Sequence, residues 1–293
     1  MRRIVITGGT GLLGSHLLPL LAEEAEVHVV GRRAPETPGA VHHPVDLAEG
    51  LDQAALPSAA DAVIHLAQSS RFRDFPRSAA HVARINCQAA VELAQYAVRA
   101  GASHFLYAST GSVYAPGPAP LAETSPVAEG AALGFYAATK LAGERLLEPF
   151  GDLLNLVILR PFFVYGSGQN GSMLIPRLVG RVRSGEAIRL AGSEGMRLNP
   201  VHASDAAAAV RAALALDARH CINIAGPEVL SLRGIGEIIG RALDVEPVFE
   251  AGADPASGDL VADIAAMRRL LVPPSMPFER GLRELLDAGA DAR

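Results

Sequence analysis

A chain of 293 residues with 49% apolar residues can bury a large core, and its net charge of −5 without a basic run excludes nucleic acid as the main partner. No uninterrupted apolar stretch reaches the ~18 residues of a membrane span; the nearest approach, Ala206 to Leu216, is broken by Arg211. Met1 to Gly9 reads as a strand running into a glycine turn rather than as a secretion leader, so a cytoplasmic protein is expected. Cys87 and Cys221, isolated in apolar contexts, are expected as reduced core thiols.

In chain order, the β-branched run Arg3 to Thr7 is too short for a helix and leads into Gly8-x-x-Gly11-x-x-Gly14. The apolar stripe Leu12, Leu13, Leu17, Leu18, Leu21 then follows at helical spacing. Strand, glycine turn and helix together form a dinucleotide-binding context. Gly8 serves the sharp turn, Gly11 lets backbone approach a pyrophosphate, Gly14 lets helix and strand pack closely, and the helix N-terminus meets the phosphates. The second strand, Glu26 to Val30, ends in Gly31-Arg32-Arg33, where an NAD site commonly carries an acid for the ribose hydroxyls. Two guanidiniums suit a 2′-phosphate instead, so NADP is expected over NAD.

A third strand, Val41 to Val45, runs into Asp46-Leu47, an acid placed to accept from an adenine amino group. His42 and His43 lack ligand-like companions, and no metal site is expected. Asp61 to Leu66 reads as a buried parallel strand, with Ala67-Gln68 after it, where a small residue lets the chain pass close to a cofactor. His65 within the strand reads as a core side chain. A long amphipathic helix is expected from Arg77 to Arg99, with Asn86 among its small apolar residues. A buried amide there needs partners, either at a structural kink or in a proton relay.

His104 to Ser109 is the next strand, and it delivers S-T-G-S-V-Y, Ser109 to Tyr114. After a Pro/Gly-rich loop comes Y-A-A-T-K, Tyr136 to Lys140, on a helix reaching about Leu147. Tyr136 and Lys140, four apart, share one helix face, and an ammonium beside a phenol would favour the phenolate. With a strand-end hydroxyl on the same substrate oxygen, this makes an acid–base device for a hydroxyl or carbonyl. Leu153 to Leu159 is a further apolar strand leading into Arg160-Pro161-Phe162-Phe163-Val164-Tyr165-Gly166. The alternation predicts an α/β doubly wound parallel sheet. Beyond Gly166 the pattern changes: helices are expected over Leu174 to Arg183, Asp205 to Leu216, Leu232 to Leu243, Asp263 to Leu271 and Phe278 to Ala288, with short strands at Ile188 to Ala191 and Cys221 to Ala225. Residues 1–166, joined again by 198–226, are expected to form the dinucleotide-binding domain, and 167–197 with 227–293 a smaller mixed substrate-binding cap.

Taken together, T-G-G-T-G-L-L-G, Asp46-Leu47, H-L-A at His65 to Ala67, Asn86, S-T-G-S-V-Y, Y-A-A-T-K, R-P-F-F-V-Y-G and V-H-A-S-D resemble the extended short-chain dehydrogenase/reductase family, the NAD-dependent epimerase/dehydratase group. The resemblance implies a Rossmann sheet whose cofactor lies against Gly8, Thr10, Gly11, Leu12, Leu13 and Gly14, then Arg32, Arg33, Asp46, Leu47, Leu66, Ala67 and Gln68. Pro161, Phe163 and Val164 would line its nicotinamide side. Tyr136 would be the acid/base, Lys140 the residue that binds the ribose and lowers the tyrosine's pKa, and Thr110 the assisting hydroxyl, with Ser109 and Ser112 weaker candidates. Asn86 matches the family's helix asparagine and is counted with the catalytic group. Ser69, Ser112 and Arg197 would face substrate.

The resemblance further implies hydride transfer at a carbonyl or secondary alcohol of a nucleotide-linked sugar, and a homodimer. Arg197 stands one place out of the family's diphosphate-binding register, and Arg32-Arg33 is unlike self-regenerating epimerases; both shift weight toward a reductase. Gly111-Ser112 occupy positions where dehydratases carry Asp-Glu, which disfavours dehydration. A reductase of a non-sugar carbonyl and a non-catalytic NADP-sensing protein are the alternatives.

Overall fold

The computed structural model describes residues 1–252 and 258–291. Its centre is a seven-stranded parallel sheet, ordered β3-β2-β1-β4-β5-β6-β9. The strands are β1 (Arg2–Thr7), β2 (Ala25–Gly31), β3 (Val41–Pro44), β4 (Ala62–His65), β5 (His104–Ala108), β6 (Asn155–Pro161) and β9 (His220–Ile224). Side chains alternate across the sheet. Ile4 and Ile6 point to one face and join α1 (Leu12–Ala22) and α6 (Ala203–Ala213), whereas Val5 points to the other and joins α3 (Ala89–Arg99). Strands covered on both faces need apolar residues throughout, which is why their sequences read as continuous runs.

The order reverses between β1 and β4, whose neighbours run outward in opposite directions. Parallel sheets place ligands at the carboxyl ends of the strands beside such a switch. The catalytic candidates hang from that edge. α4 (Phe135–Leu147) carries Tyr136 and Lys140, and β5 ends one residue before Ser109.

The helix expected from Arg77 to Arg99 is interrupted. α2 (Ala79–Ala83) passes into a π turn, Arg84–Gln88, before α3 begins, and Asn86 lies inside that turn. The buried Asn86 amide therefore sits at an irregularity of the helix, one of the two settings left open for it. β6 begins two residues later than expected, because Leu153 and Leu154 close a turn onto the Phe150 carbonyl.

After β6, the chain builds a second cluster from α5 (Leu174–Ser184), β7 (Ile188–Leu190), α7 (Leu232–Leu243) and α9 (Phe278–Asp291), whose apolar faces meet around Ile175, Val179, Ile235, Ile239 and Leu282. Small sheets complete it: β8 (Arg197–Leu198) pairs antiparallel with β10 (Leu230–Ser231), and β11 (Phe249–Ala251) lies parallel to β7. The short helix α8 (Ala265–Leu270) returns to the main core through Met267. Among the described residues no helix is long and apolar enough to cross a membrane.

A buried ion pair joins α4 to the sheet. Arg160, near the end of β6, donates through Nε (3.0 Å) and Nη2 (2.6 Å) to the Glu144 carboxylate on α4. Ser109 Oγ donates to the same carboxylate, and Arg160 Nη1 reaches the Tyr114 hydroxyl at 2.7 Å. Tyr114 in turn donates to Asn223 Oδ1 on β9 at 2.9 Å. Removing one partner leaves an uncompensated buried charge. Arg160→Ala or Glu144→Ala should therefore lower stability by about 3–5 kcal/mol in urea unfolding, whereas the apolar double replacement Glu144→Leu/Arg160→Met should lose much less.

Candidate active site

The turn after β1 is shaped by steric limits that only glycine meets. Gly8 sits at φ 74°, and a Cβ there would fall 2.6 Å from the Ala67 nitrogen. A Cβ on Gly14 would fall 2.2 Å from the Gly8 carbonyl oxygen, so α1 packs against the turn only because that atom is missing. Gly11 caps α1 in an extended conformation, no side chain caps the helix, and no acid occupies its first turn. The result is a free, positively polarised helix end, which fits a dinucleotide pyrophosphate. Thr10, Leu12 and Leu13 lie in this same turn and first helical residues, as expected.

At the end of β2, Arg32 is exposed and its guanidinium lies 4.0 Å from Asp46, while Arg33 Nη2 reaches the Thr10 carbonyl at 3.5 Å. Asp46 also accepts from the Ala48 nitrogen at 2.9 Å, and Leu47 is buried beside Ile85 and Ala89. The two arginines and Asp46 therefore gather at the same corner, beside the glycine turn.

Around Tyr136 the geometry is tighter. Its hydroxyl donates to Gln68 Oε1 at 2.7 Å. Burial pushes the phenol up to about 12, partly offset by a hydrogen bond with the Thr110 side chain. Thr110 is buried, and its Oγ1 also accepts from the Ser112 nitrogen at 3.2 Å, closing the short turn Gly111–Val113. Lys140 is enclosed; its Nζ donates to the Ala108 carbonyl at 2.8 Å and lies 5.0 Å from the Tyr107 ring centre. Desolvation lowers it from 10.5 to about 7.

The expected ammonium–phenol coupling is thus not the arrangement of this state. A buried ammonium takes the nearest strong acceptor, here the carbonyl at the end of β5, and the phenol takes Gln68. Tyr136, Thr110 and Lys140 nevertheless converge at one strand end.

Asn86 stands one layer behind. It is fully buried, its Nδ2 donates to Thr139 Oγ1 at 3.0 Å, and its Oδ1 accepts from the Ser69 nitrogen at 3.4 Å. Thr139 Oγ1 donates to the Tyr136 carbonyl at 2.8 Å, so the amide pins the loop after β4 to the backbone that carries Tyr136. Ser69, expected at substrate, is fully buried, with its hydroxyl bonded to His81 at 2.9 Å and to the Arg71 nitrogen at 3.1 Å. Ser109 is likewise committed, to Glu144, whereas Ser112 is exposed.

Pro161 closes β6, and Phe163 two residues on holds φ 45°, a left-handed conformation that a bulky residue adopts only where its surroundings impose it. Its ring packs against both the sheet core and the second cluster. Val164 offers its carbonyl to Gln169 Nε2 at 2.7 Å, and Leu66 and Ala67 are half-buried beside the glycine turn. Arg197, expected at a substrate phosphate, is paired with Asp259 through Nε (2.8 Å) and Nη2 (2.6 Å). The pair sits beside a hollow of about 500 Å³ formed by Pro116–Pro118, Met196 and Asp259.

Sequence reading did not foresee the Glu144–Arg160 pair, the Gln68–Tyr136 bond or the Phe163 backbone. The first had a signal. Glu144 follows Lys140 by four on one helix face, and Arg160 directly follows the apolar run Leu153 to Leu159, where a charge needs a buried partner.

A family model described as the NAD dependent epimerase/dehydratase family matches residues 4–225. An uncharacterised UDP-glucose epimerase of Bacillus subtilis is 27% identical, over 96% of this chain and 95% of its own length. The UDP-glucose 4-epimerase of Azospirillum brasilense is 32% identical over 58% of this chain and 51% of its own. Among solved structures, MoeE5 in complex with UDP-glucose and NAD superposes with a TM-score of 0.85 at 25% identity, covering 99% of each chain.

The depressed Lys140 pKa makes a pH prediction. The unfolded chain holds this proton more tightly than the folded one, so stability carries the full penalty below pH 7 and rises between pH about 7 and 10.5, by at most about 1.4 kcal/mol per pH unit. Denaturant titrations across that window should show the rise in the wild type and its loss in Lys140→Met.

Proposed function

Because the chain belongs to the NAD dependent epimerase/dehydratase family, we propose that it is a nucleotide-sugar oxidoreductase whose net outcome is epimerisation at a secondary alcohol. The observation that carries this reading is the convergence of Tyr136, Thr110 and Lys140 at the end of β5, beside a glycine turn whose helix end is free for a pyrophosphate. Residues 1–166 with 198–226 bind the dinucleotide, and 167–197 with 227–293 bind the sugar nucleotide.

Bound nicotinamide supplies the hydride acceptor and donor. The protein supplies the proton chemistry and the positioning. Tyr136 accepts the alcohol proton as the carbonyl forms and returns it when the carbonyl is reduced. Thr110 holds the same oxygen. For this the phenol must leave Gln68, and its pKa must fall from about 12. Lys140, whose Nζ is spent on Ala108 in this state, performs both tasks by turning toward the phenol and the ribose, since an ammonium favours the phenolate. Asn86 acts through Thr139 on the backbone of Tyr136 and is a positioning residue. Gly8, Gly11, Gly14, Leu66, Ala67, Pro161, Phe163 and Val164 shape the cofactor groove, and Ser112 is the exposed hydroxyl left for substrate.

At the adenosine end, Arg32 and Arg33 support NADP over NAD, since each can take a 2′-phosphate while Asp46 turns to the base. That preference, together with the likeness to a GDP-6-deoxy-D-mannose reductase of Pseudomonas aeruginosa (33% identical over 63% of this chain), supports a second reading as a sugar ketoreductase. The outer faces of α3 and α4 expose Val98 and Leu146, which suit a homodimer. Free, half-buried Cys87 and Cys221 suit a cytoplasmic setting.

Calorimetric titration with NADPH, NADH and a panel of UDP- and GDP-sugars tests these readings. NADPH preference that collapses in Arg32→Ala/Arg33→Ala, with one tight sugar nucleotide that is only reduced, selects the ketoreductase. Equal or better NAD(H) binding with interconversion of a sugar epimer pair selects the epimerase, and failure of every nucleotide sugar removes both. Tyr136→Phe should cut turnover by roughly 10²–10⁴-fold while leaving cofactor binding intact.

A further inference from the structure

A row of polar side chains crosses the sheet from β1 to its edge. Arg3 on β1 meets Glu26 Oε2 on β2, at 3.0 Å through Nε and 2.9 Å through Nη2. The other Glu26 oxygen lies 3.0 Å from His28 Nε2, and His28 Nδ1 lies 2.8 Å from His43 Nε2. His43 Nδ1 in turn lies 2.9 Å from the Ala55 carbonyl oxygen. The row thereby reaches β3, an edge strand of four residues that pairs with β2 alone.

Each of the three gaps from Glu26 to Ala55 takes one hydrogen. The Arg3 guanidinium, with His28 beside it, holds the Glu26 carboxyl below its usual value, so Glu26 accepts, as the Ala55 carbonyl must. His28 Nε2 and His43 Nδ1 therefore each carry a hydrogen. Two neutral imidazoles have two such hydrogens in all, and both are now placed. Two lone pairs are left facing each other across 2.8 Å, on His28 Nδ1 and His43 Nε2. A third hydrogen in that gap makes a hydrogen bond of ordinary length and makes the two rings together one imidazolium. A tetrahedral zinc ion, with nitrogen ligands at about 2.0–2.1 Å, would hold the same atoms about 3.3 Å apart, so the gap fits a proton better than a metal.

We propose that His28 and His43 share this third hydrogen, and that the bond it makes between β2 and β3 positions the adenosine end of the cofactor groove. The proposal rests on the dinucleotide reading above. Both strands lead into that corner, since Arg32 directly follows β2 and Asp46 lies two residues beyond β3. The strands close at the Gly31 carbonyl, which accepts from the Val45 nitrogen at 3.3 Å and from His42 Nε2 at 2.8 Å. Pro44, between His43 and Val45, brings no N–H to the ladder, and the bond from His43 adds a tie where the backbone lacks one. Without the third hydrogen the facing lone pairs repel, His43 draws away from His28, and Asp46 shifts against Arg32.

The charged groups that face the pair are Glu26 from β2 and Arg3 from β1, and the turn Gln53–Ala55 meets it with a carbonyl. Burial draws His28 below the ordinary imidazole value, and Glu26 acts against burial. The hydrogen is therefore held in mild acid and lost as pH rises toward neutrality, and dinucleotide affinity falls with it.

The test uses the full-length protein and NADH, whose phosphates keep their charge between about pH 5 and about pH 8, where histidine titrates. Wild-type affinity should fall roughly fivefold across that range. His43→Gln sets an amide N–H opposite His28 Nδ1 and closes the gap without an added proton. It should keep the affinity and lose most of the pH dependence, whereas His43→Leu should bind weakly throughout. Nitrogen-15 spectra of the imidazoles should show His28 and His43 titrating together, and the His28 transition should move to lower pH in His43→Gln. A His43→Gln protein that retains the full pH dependence overturns the positioning role. A His28 transition unmoved by that substitution overturns the shared hydrogen. If neither NADH nor NADPH binds, the dinucleotide reading and the positioning role fall together, while the imidazole spectra still decide whether the hydrogen is shared.

Discussion

The contact on which the site depends is the buried pair of Glu144 and Arg160. It closes a triangle between α4, the end of β6 and the end of β5, since Ser109 shares the carboxylate. Through Tyr114 and Asn223 the same network reaches β9, so the last strand of the sheet and α4 are tied by one chain of hydrogen bonds. A charge in that interior is tolerable only with its hydrogen-bonding capacity met, and the geometry that meets it leaves α4 little freedom to slide. Tyr136, two helical turns before Glu144, inherits that register.

Burial is the second constraint, and it acts oppositely on the two titrating candidates. It raises the Tyr136 phenol and lowers the Lys140 ammonium, because in each case water is withdrawn from the charged form. Each group meets the loss with one protein acceptor, Gln68 for the phenol and the Ala108 carbonyl for the ammonium. Such a site rests with its proton on the tyrosine. The loop after β4 thereby meets both the side chain and the backbone of Tyr136, through Gln68 and Phe72 on one side and through Asn86 and Thr139 on the other.

Much of this was legible in the chain because it is written in short-range chemistry. The glycines at 8, 11 and 14 answer to local sterics, the strands to unbroken apolar runs, and the Tyr136–Lys140 pair to helical spacing. What spacing along the chain does not give is the partners that other elements supply: His81 for the Ser69 hydroxyl and Asp259 for Arg197. The π turn at Asn86 followed from no local signal, since its residues suit an ordinary helix and only tertiary contacts favour the wider one.

By itself the sequence determined the layered α/β architecture and the glycine turn after β1, and it singled out Thr110, Tyr136 and Lys140 as candidates, because periodicity, glycine sterics and residue chemistry act over a few positions. Tertiary structure alone decided where each proton and charge rests: the phenol on Gln68, the ammonium on Ala108, Arg160 on Glu144 and Arg73 on Ser172. The reason is physical. Desolvation and hydrogen-bond satisfaction depend on which groups the fold brings within about 3 Å, and that is settled by packing between elements rather than by spacing along the chain.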